Sequence, residues 1–592
     1  MDKLGALRSL MKVHDIDAYI VPSGDDHKSG YVADYWGARK WLSGFTGSAG
    51  LVVVTPTEAG LWTDGRYFIQ AEEQLSGTNI DLYKMGEPGV PSYIDFLLKK
   101  LPEGGKVGFD GRSMAIGEFN ALKEKLDTKN ITYVYSKDLV GEIWASRPPM
   151  PSAPAFEHLP EFAGVSAAEK LRKVREKMKE SNVSTYFVTG LDEIVWLLNI
   201  RGNDVANMPL VYSYLLITET EARIFVDAAK VADISGKLKS QGFVIDSYEA
   251  VVEQLKALPP EGNIYYNKAT INVLMAEAIP QGQQIPEKAW NIIAHLKGVK
   301  SDIELANIRN AYIKEGVAMT KLLKWLDDAI KAGKVLTEDD VATTLTNLRK
   351  QQANCLGDSF STISAYGANA AQAHYRHEGS GAALQPDNFY LLDTGGQYLD
   401  GTTDTTRTIA IGNITGEMKK DYTLVLKGHI ALSVAIFPAG TTGHALDMLA
   451  RQPVLQDCQN YRHGTGHGIG YCLGVHEGPH GIAARQGDTI VELVPGMLAS
   501  NEPGIYKQGR YGIRIENIIA VKELCENENG KFLNFETLTY CPYDTRAIDL
   551  QLLTQAEKDF VNNYHSKVYD TLAPLLTEEE AVWLKNATAP IG

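Results

Sequence analysis

Apolar residues recur at helical spacing in two well-separated parts of the chain, which predicts two amphipathic helices. In the first, near the start, the apolar stripe consists of Leu4, Leu7, Leu10 and Met11. The second helix is much longer and is predicted within residues 295–330, with its N-terminal cap near Ser301. Its apolar face carries Leu305, Ile308, Tyr312, Met319, Leu322 and Leu326.

Two segments of the N-terminal half resemble each other, and both alternate strand and helix signals. The order of the matching pieces is kept, although the lengths of the loops between them differ. We favour two small α/β domains related by duplication, with chance similarity between two α/β units as the alternative. The matching pieces are "DAYIV" (17–21) with "STYFV" (184–188), "WLSGFTG" (41–47) with "WLLNIRG" (196–202), and "GLVVVTPTEAGLWTDGRY" (50–67) with "SYLLITETEARIFVDAAK" (213–230).

Two boundaries divide the chain into three domains. The first is the proline-rich linker "ASRPPMPSAPAF" (145–156), which cannot continue a helix or a central strand. The second lies just before the long helix. We therefore predict α/β domains at 1–150 and 151–297 and a third domain at 298–592. The third domain contains "NFYLLDTGGQYLDGTTDTTRTIAIG" (388–412), which reads as strand, turn and strand, so we expect α+β structure with an antiparallel sheet.

Composition narrows the class of protein. At 44% apolar residues the chain can build full hydrophobic cores. The formal net charge of -15 argues against nucleic acid as a partner, because phosphate binding needs a basic face. The five cysteines form an odd, sparse set that is typical of reduced thiols in a cytosolic protein. No apolar run reaches transmembrane length, and the start of the chain differs from a signal peptide. We expect a cytoplasmic protein that binds neither nucleic acid nor membranes.

Two aspartates flank the predicted strand pair of the third domain. Asp393 ends the apolar run "NFYLLD", and Asp404 precedes "TTRTIAIG". If the two strands pair as a hairpin, both carboxylates can face one pocket. The alternative is that they are turn residues, which is the interpretation we prefer for Asp400.

Two glutamates follow in the same domain. Glu502 precedes a Pro-Gly turn in "LASNEPGIY", whereas Glu516 in "YGIRIENIIAV" is predicted to stand within an alternating strand. A carboxylate buried in a strand must be paired or bind a metal. A salt bridge to Arg514 is the alternative, although residues 514 and 516 would share one strand face.

The segment "HGTGHGIG" (463–470) places His463 and His467 four residues apart, a spacing that puts two side chains on one face of a helix. Its interleaved glycines argue against an ordinary helix, because each costs about 1 kcal/mol relative to alanine. Four carboxylates and one neutral imidazole would be neutralised by two divalent cations. An oxygen-rich set with one histidine suits Mn²⁺, with Co²⁺ or Zn²⁺ as alternatives.

The order of these motifs carries a family resemblance. D-x10-D, HGTGHGIG, NEPG and RIEN together resemble the pita-bread metallopeptidases, across essentially the whole third domain. The upstream "WLSGFTGSAG" and "WTDGRYF" resemble the first domain of the three-domain, cytosolic-type Xaa-Pro aminopeptidases (aminopeptidase P). The resemblance implies two creatinase-like N-terminal α/β domains followed by a pita-bread catalytic domain.

The resemblance also implies a dinuclear metal site. Asp404 and Glu516 would be the bridging carboxylates, His467 and Glu502 would hold one metal, and Asp393 would hold the other. We expect the glycines around His467 to let the backbone approach the metals and the peptide closely and to supply unusual φ angles. Two metals of this kind would activate a bridging water for attack on the scissile carbonyl.

Other residues acquire roles by the same resemblance. Glu502 would accept and shuttle the proton, and His476 would donate to the developing oxyanion. Tyr506 and Arg514 would line the substrate pocket. The histidines implied to act near the substrate are His374, His463 and His476. We interpret His377 and His480 as structural residues.

The implied activity is removal of a first residue that precedes proline, by an enzyme expected to be a homodimer. A free substrate amine that binds a metal would explain why only one residue is removed. A proline dipeptidase is the main alternative, although such chains usually have one N-terminal domain. Methionine aminopeptidase and creatinase fit less well, because the first lacks both N-terminal domains and the second lacks the metal set. The alternative that is not an enzyme is a catalytically inactive pita-bread domain that binds proteins.

Overall fold

The structure, a computed structural model, describes residues 2–285, 292–377, 379–484 and 490–592. It consists of two compact units. Unit 1 comprises Met1–Leu159 and Val165–Ile293, and unit 2 comprises Pro160–Gly164 and Ala294–Gly592. The domain boundaries near residues 150 and 297 stay predictions.

The first part of unit 1 is a six-stranded mixed sheet flanked by helices. Its strands are β1 (Ala18–Pro22), β2 (Leu51–Val54), β3 (Ala59–Thr63), β4 (Asp81–Lys84), β5 (Lys106–Phe109) and β6 (Thr132–Val134). The helices are α1 (Lys3–Val13), α2 (Ala38–Ser43), α3 (Phe68–Leu75), α4 (Tyr93–Lys100), α5 (Ile116–Leu126) and α6 (Leu139–Ile143). The strand order is β4-β3-β2-β1-β5-β6. As predicted, α1 buries Leu7 and Met11.

The second part of unit 1 repeats this arrangement. Its strands are β7 (Phe156–Glu157), β8 (Thr185–Val188), β9 (Ile200–Arg201), β10 (Ser213–Thr218), β11 (Ala222–Val226), β12 (Phe243–Asp246), β13 (Gly262–Tyr265) and β14 (Gln283–Gln284). The main sheet has the order β12-β11-β10-β8-β13-β14, which matches the first sheet position by position and confirms the predicted similarity of the two segments. The helices of this part are α8 (Ala167–Glu180), α9 (Leu191–Leu198), α10 (Ser235–Ser240), α11 (Val251–Lys256) and α12 (Val273–Ala278), and α13 (Ile292–Gly298) follows.

Unit 2 is built around helices and antiparallel strands. Its helices are α7 (Pro160–Ala163), α14 (Asp302–Lys331), α15 (Glu338–Arg349), α16 (Gly416–Ser433), α17 (Gly443–Gln456), α18 (Gln555–Leu572) and α19 (Glu578–Ala587). The predicted long helix is α14, and its cap is confirmed: Ser301 accepts from the amide of Glu304, whose side chain bonds back to the Ser301 amide. Ile308, Tyr312 and Leu322 are buried on its inner face.

The strands of unit 2 form several small sheets. They are β15 (Cys355–Asp358), β16 (Ile363–Tyr366), β17 (Asp387–Thr394), β18 (Gly396–Tyr398), β19 (Gly401–Thr402), β20 (Thr405–Gly412), β21 (Phe437–Pro438), β22 (Gly466–Gly468), β23 (Glu477–Ile482), β24 (Leu498–Asn501), β25 (Gly504–Lys507), β26 (Tyr511–Arg514), β27 (Asn517–Asn527) and β28 (Gly530–Thr537). The orders are β16-β17-β20, β15-β18-β19 and β21-β28-β27-β24, with the pairs β22-β23 and β25-β26. These pairings are antiparallel, as predicted for the third domain.

One local prediction is wrong. Glu516 does not stand inside a strand, because β26 ends at Arg514 and β27 begins at Asn517. The amide of Ile515 donates to the carbonyl of Pro503 (3.4 Å), and that of Glu516 donates to the carbonyl of Thr406 (3.1 Å). These bonds replace a regular ladder, so Glu516 stands in a two-residue break between β26 and β27.

Candidate metal centre

Asp393 and Asp404 are brought together by the antiparallel pairing of β17 with β20. Asp393 lies opposite Thr406, and Asp404 is the residue just before β20 begins. Their exposed fractions are 8% and 4%. The Oδ1 atom of each is buried without a hydrogen-bond partner in the described part of the chain. Such carboxylates suit a cation, because a buried charge without a partner is costly.

Glu502 and Glu516 each occupy the break between two strands. Glu502 follows β24 and precedes β25, as Glu516 follows β26 and precedes β27. The amide of Glu502 donates to the carbonyl of Thr465 (2.8 Å). The Oε2 atom of Glu516 accepts from the Thr406 hydroxyl (2.8 Å), which orients this side chain toward the start of β20.

His467 lies on β22 with its Nε2 atom facing the carboxylates. This atom is 3.7 Å from Oδ2 of Asp404 and 3.5 Å from Oε1 of Glu502. Its Nδ1 atom faces the carbonyl of Gly468 at 3.0 Å, and a carbonyl only accepts. Nδ1 therefore carries the proton in the neutral ring, and Nε2 presents a lone pair toward the acidic groups.

The glycines around His467 permit close backbone packing. A Cβ added to Gly466 would lie 1.9 Å from the carbonyl oxygen of Ser500, and one added to Gly468 would lie 2.2 Å from that of Glu477. No larger residue fits at either position. The expectation of unusual φ angles is wrong, because no glycine of segment 463–470 has a φ in the left-handed region. Lack of steric room for a side chain, rather than backbone handedness, therefore explains Gly466 and Gly468, which lie in β22.

The cluster as a whole is electrostatically strained without a cation. Asp404, His467 and Glu516 offer atoms that lie within 4.8 Å of one another. Burial, with repulsion from Glu516, raises the pKa of Asp404 and that of Glu502 well above their usual values. Burial, with repulsion from Asp393, raises the pKa of Glu516 to about 8. Burial lowers the pKa of His467, which favours the neutral ring that a metal needs. The residues therefore fit divalent cations.

Arg514 borders this cluster and connects it to a second group of side chains. It is 2% exposed, and its Nη2 atom donates to Oδ2 of Asp393. Its Nη1 atom donates to the hydroxyl of Tyr506 (2.7 Å), which also lies 2.7 Å from Nε2 of His463. The alternative interpretation of Glu516, a salt bridge to Arg514, is not what the structure shows, because this guanidinium pairs with Asp393 instead.

The remaining histidines differ in position. The rings of His476 and His467 are 4.2 Å apart, so an exposed imidazole stands beside the cluster. His374 is half-buried and follows Ala373, whose carbonyl accepts from Nη2 of Arg514 (3.3 Å). His480 bonds to the carbonyl of Leu498 (2.6 Å), and His377 bonds to the carbonyl of Gly379 (3.0 Å).

Three supporting residues were not found from the sequence. The Ser500 hydroxyl accepts from the amide of His467 (2.9 Å) and donates to Oε1 of Glu502 (3.3 Å). Thr406 orients Glu516, and the Tyr312 hydroxyl accepts from the amide of Asp404 (3.2 Å). Their sequence positions could have indicated these roles. Ser500 lies two positions before Glu502, Thr406 lies two positions after Asp404, and Tyr312 is a polar-tipped residue in the apolar stripe of α14.

Family models match almost the entire chain. Creatinase/Prolidase N-terminal domain models match residues 3–142 and 146–304. Metallopeptidase family M24 matches residues 306–523, and the C-terminal region of peptidase M24 matches residues 531–591. The predicted order of two creatinase-like domains and a metallopeptidase domain is confirmed.

Similar proteins match over the full length of this chain. A probable Xaa-Pro aminopeptidase P from Pyricularia oryzae is 40% identical over 614 residues, covering 100% of this chain and 99% of that protein. Aminopeptidase P2 from Arabidopsis thaliana is 37% identical, covering 100% of this chain and 88% of that protein. The crystal structure of X-prolyl aminopeptidase from Caenorhabditis elegans, described as a cytosolic enzyme with a di-nuclear active site, has a TM-score of 0.94 at 34% identity, covering 100% of this chain and 99% of that chain. The chain therefore belongs to the Xaa-Pro aminopeptidase P family of M24 metallopeptidases.

Proposed function

We propose that the protein is a metalloaminopeptidase that hydrolyses the first peptide bond of substrates with proline at the second position. The observation that carries this proposal is the convergence of Asp404, His467 and Glu516 within 4.8 Å, with Asp393 and Glu502 beside them. Relatives named Xaa-Pro aminopeptidase P, alike over the full chain, support the substrate class.

Two divalent cations are the proposed cofactor, with Mn²⁺ preferred and Co²⁺ or Zn²⁺ as alternatives. Asp404 and Glu516 would bridge them, His467 and Glu502 would hold one, and Asp393 would hold the other. When bound, the ions supply a water of lowered pKa and polarise the scissile carbonyl. The C. elegans relative is described as di-nuclear, which supports the number of ions.

The proton chemistry is assigned to two side chains of this protein. Glu502 is the proposed proton acceptor, because its Oε1 atom lies on the side that faces His467 and is oriented by the Ser500 hydroxyl. His476 is the proposed donor to the oxygen that gains negative charge, since its ring stands next to that of His467.

The proposed substrate pocket contains His374 and the chain formed by His463, Tyr506 and Arg514. Nδ1 of His463 faces the carbonyl of Gly464 (2.7 Å), so the neutral ring has its proton there and accepts from Tyr506 at Nε2. Tyr506 in turn accepts from Arg514. Because both nitrogens of His463 are bonded in this way, we propose that its ring face packs against the substrate, as an apolar proline ring requires.

The proposed setting is a cytosolic homodimer that binds peptides and neither nucleic acid nor membranes. The C. elegans relative is described as cytosolic, and the net charge of -15 disfavours polyanions. Among the described residues, no helix is long and apolar enough to span a bilayer. The dimer rests on family resemblance.

One assay separates this function from its alternatives. Purified protein is stripped of metal, reloaded with Mn²⁺, and given three substrates: a Xaa-Pro-Xaa tripeptide, its N-acetylated form and a Xaa-Pro dipeptide. We expect metal-dependent release of the first residue from the tripeptide and none from the acetylated form, because an amide nitrogen is a poor ligand.

Each alternative gives a different pattern in that assay. Cleavage restricted to the dipeptide would favour a proline dipeptidase. Cleavage of the acetylated peptide would exclude an exopeptidase that requires a free N-terminal amine. Absence of turnover in Mn²⁺-, Co²⁺- and Zn²⁺-loaded protein would favour the inactive binding module.

A further inference from the structure

A chain of buried hydrogen bonds runs behind the carboxylate cluster from Arg407 to Asn501. Nη2 of Arg407 donates to Oδ1 of Asn517 (2.8 Å), and Nδ2 of Asn517 donates to the hydroxyl of Tyr543 (2.9 Å). That hydroxyl lies 3.1 Å from Nε2 of His429, and Nδ1 of His429 lies 3.0 Å from the carbonyl oxygen of Asn501. All five residues are buried.

The polarity of this chain is determined by its ends. The Asn501 carbonyl only accepts, so Nδ1 of His429 carries a proton. Burial, together with the charge of Arg407, lowers the pKa of His429 to about 3, so the ring is neutral and Nε2 accepts from Tyr543. The Tyr543 hydroxyl then accepts from Asn517 and donates to His429. Each link therefore has one donor and one acceptor, and none is left unsatisfied.

Both ends of the chain adjoin residues of the proposed metal centre. Asn501 directly precedes Glu502 in the sequence, and Asn517 directly follows Glu516. Arg407 also donates from Nη1 to the carbonyl oxygen of Glu516 itself (2.7 Å). The chain thus connects the peptide groups next to both glutamates across the back of the cluster.

The central link, Tyr543, belongs to the C-terminal part of unit 2. The same part contributes three more partners to Arg407: the carbonyl oxygens of Pro542 (3.1 Å) and Cys541 (2.6 Å) and the hydroxyl of Tyr564 (3.0 Å). None of these bonds from Pro542, Cys541 or Tyr564 is made to a carboxylate of the cluster. Its link to them is mechanical, through Arg407 and Tyr543.

We propose that Arg407 and Tyr543 are positioning residues through which the C-terminal region holds Glu502 and Glu516 at the separation that metal binding requires. This inference rests on the ligand set of the proposed function. Hydrogen bonds that hold metal-ligand residues in place contribute to metal affinity, and removal of the groups that form them lowers affinity or activity by roughly 10- to 100-fold.

The test compares two tyrosines that each lose one buried hydroxyl. Tyr543→Phe keeps the ring, which stacks on Tyr564 at 4.7 Å, but removes both hydrogen bonds of the central link. Tyr422→Phe is the matched control, because its buried hydroxyl accepts from the amide of Asp544 (3.2 Å) in the same C-terminal segment and is not part of the chain.

The readouts are Mn²⁺ titration calorimetry on the metal-stripped full-length protein, its thermal midpoint in chelator, and kcat and KM. We expect Tyr543→Phe to weaken Mn²⁺ binding about tenfold or more and to lower kcat with KM little changed. Tyr422→Phe should keep wild-type affinity even where its thermal midpoint falls. Wild-type affinity in Tyr543→Phe, or an equal loss in Tyr422→Phe, would overturn the inference.

A second variant covers the case in which Tyr543→Phe folds poorly. His429→Phe breaks the same chain of hydrogen bonds at a residue of α16. Because both substitutions break one chain, the Tyr543→Phe/His429→Phe double variant should lose less Mn²⁺-binding free energy than the sum of the losses in the two single variants. Fully additive losses would contradict the inference. Failure of the wild-type protein to bind any of Mn²⁺, Co²⁺ and Zn²⁺ would instead reject the proposed function, so the two failures are distinguishable.

Discussion

Arg514 forms a buried ion pair with Asp393, a residue 121 positions earlier in the chain, on the edge of the carboxylate cluster. The same guanidinium donates to Tyr506, so one side chain connects the proposed metal centre with the proposed substrate pocket. This double contact needs the planar fork of arginine, since a lysine ammonium is a point charge.

Arg514→Lys is therefore expected to lower kcat/KM by about 10- to 100-fold, because one ammonium cannot keep both bonds in place. Steady-state kinetics on a Xaa-Pro-Xaa tripeptide at saturating Mn²⁺ measure the effect. Arg546→Lys is a suitable control, as the exposed Arg546 pairs with Asp544 and makes no contact with the carboxylate cluster among its bonds to described residues. Equal kcat/KM in wild type and Arg514→Lys would show that the connection has no catalytic role.

Glu502→Gln should lower kcat by about 10²- to 10⁴-fold, the usual contribution of a general base. The amide keeps the size of the side chain, and its carbonyl oxygen can still accept from Ser500, so the fold should persist. Metal content must be measured in the same samples, since Glu502 is also a proposed ligand. Near-normal turnover at full metal occupancy would remove the role of proton acceptor.

Asp404→Asn should reduce the number of Mn²⁺ ions bound per chain, because a bridging position needs two negatively charged oxygens. Asp400→Asn is the matched control: Asp400 is equally buried but is bonded to Lys314 and Asn310, outside the cluster. Elemental analysis of the dialysed proteins gives the stoichiometry. Two ions bound with unchanged affinity in Asp404→Asn would contradict the dinuclear arrangement.

The metal-free protein should lose stability as the pH rises from about 5 to about 8. Burial and the neighbouring carboxylates raise the pKa of Glu516 to about 8, and they raise those of Asp404 and Glu502 as well. In this window the folded state holds protons that the unfolded chain releases, so the free energy of unfolding falls with increasing pH. The stabilising contribution is complete below the unfolded pKa values and is lost as the pH passes the folded ones.

Thermal midpoints in chelator across this pH range measure the effect. Glu516→Gln should show a shallower decline, because one of the titrating groups is gone. Saturating Mn²⁺ should reverse the trend, since metal binding displaces the protons and is favoured at higher pH. A metal-free wild type with the same pH dependence as Glu516→Gln would show that Glu516 is ionised without metal.

Much of this protein follows from local pattern. Helical periodicity and the Ser301 cap determine α14, because a helix is specified by residues three and four positions apart. The repeated strand signals determine two sheets of equal strand order. The motif residues Asp393, Asp404 and Glu502 were recognisable because each stands beside a strand end: Asp393 is the last residue but one of β17, Asp404 precedes β20, and Glu502 follows β24.

Only the tertiary structure decided how these residues are held. The partner of Arg514 is Asp393 rather than Glu516, and Glu516 lies at a break that is bonded to Thr406, 110 positions away. The bond between His429 and Tyr543 joins residues 114 positions apart. No periodicity specifies such contacts, because each depends on which donors and acceptors the packed strands leave facing one another, and most buried polar groups must find a partner among these.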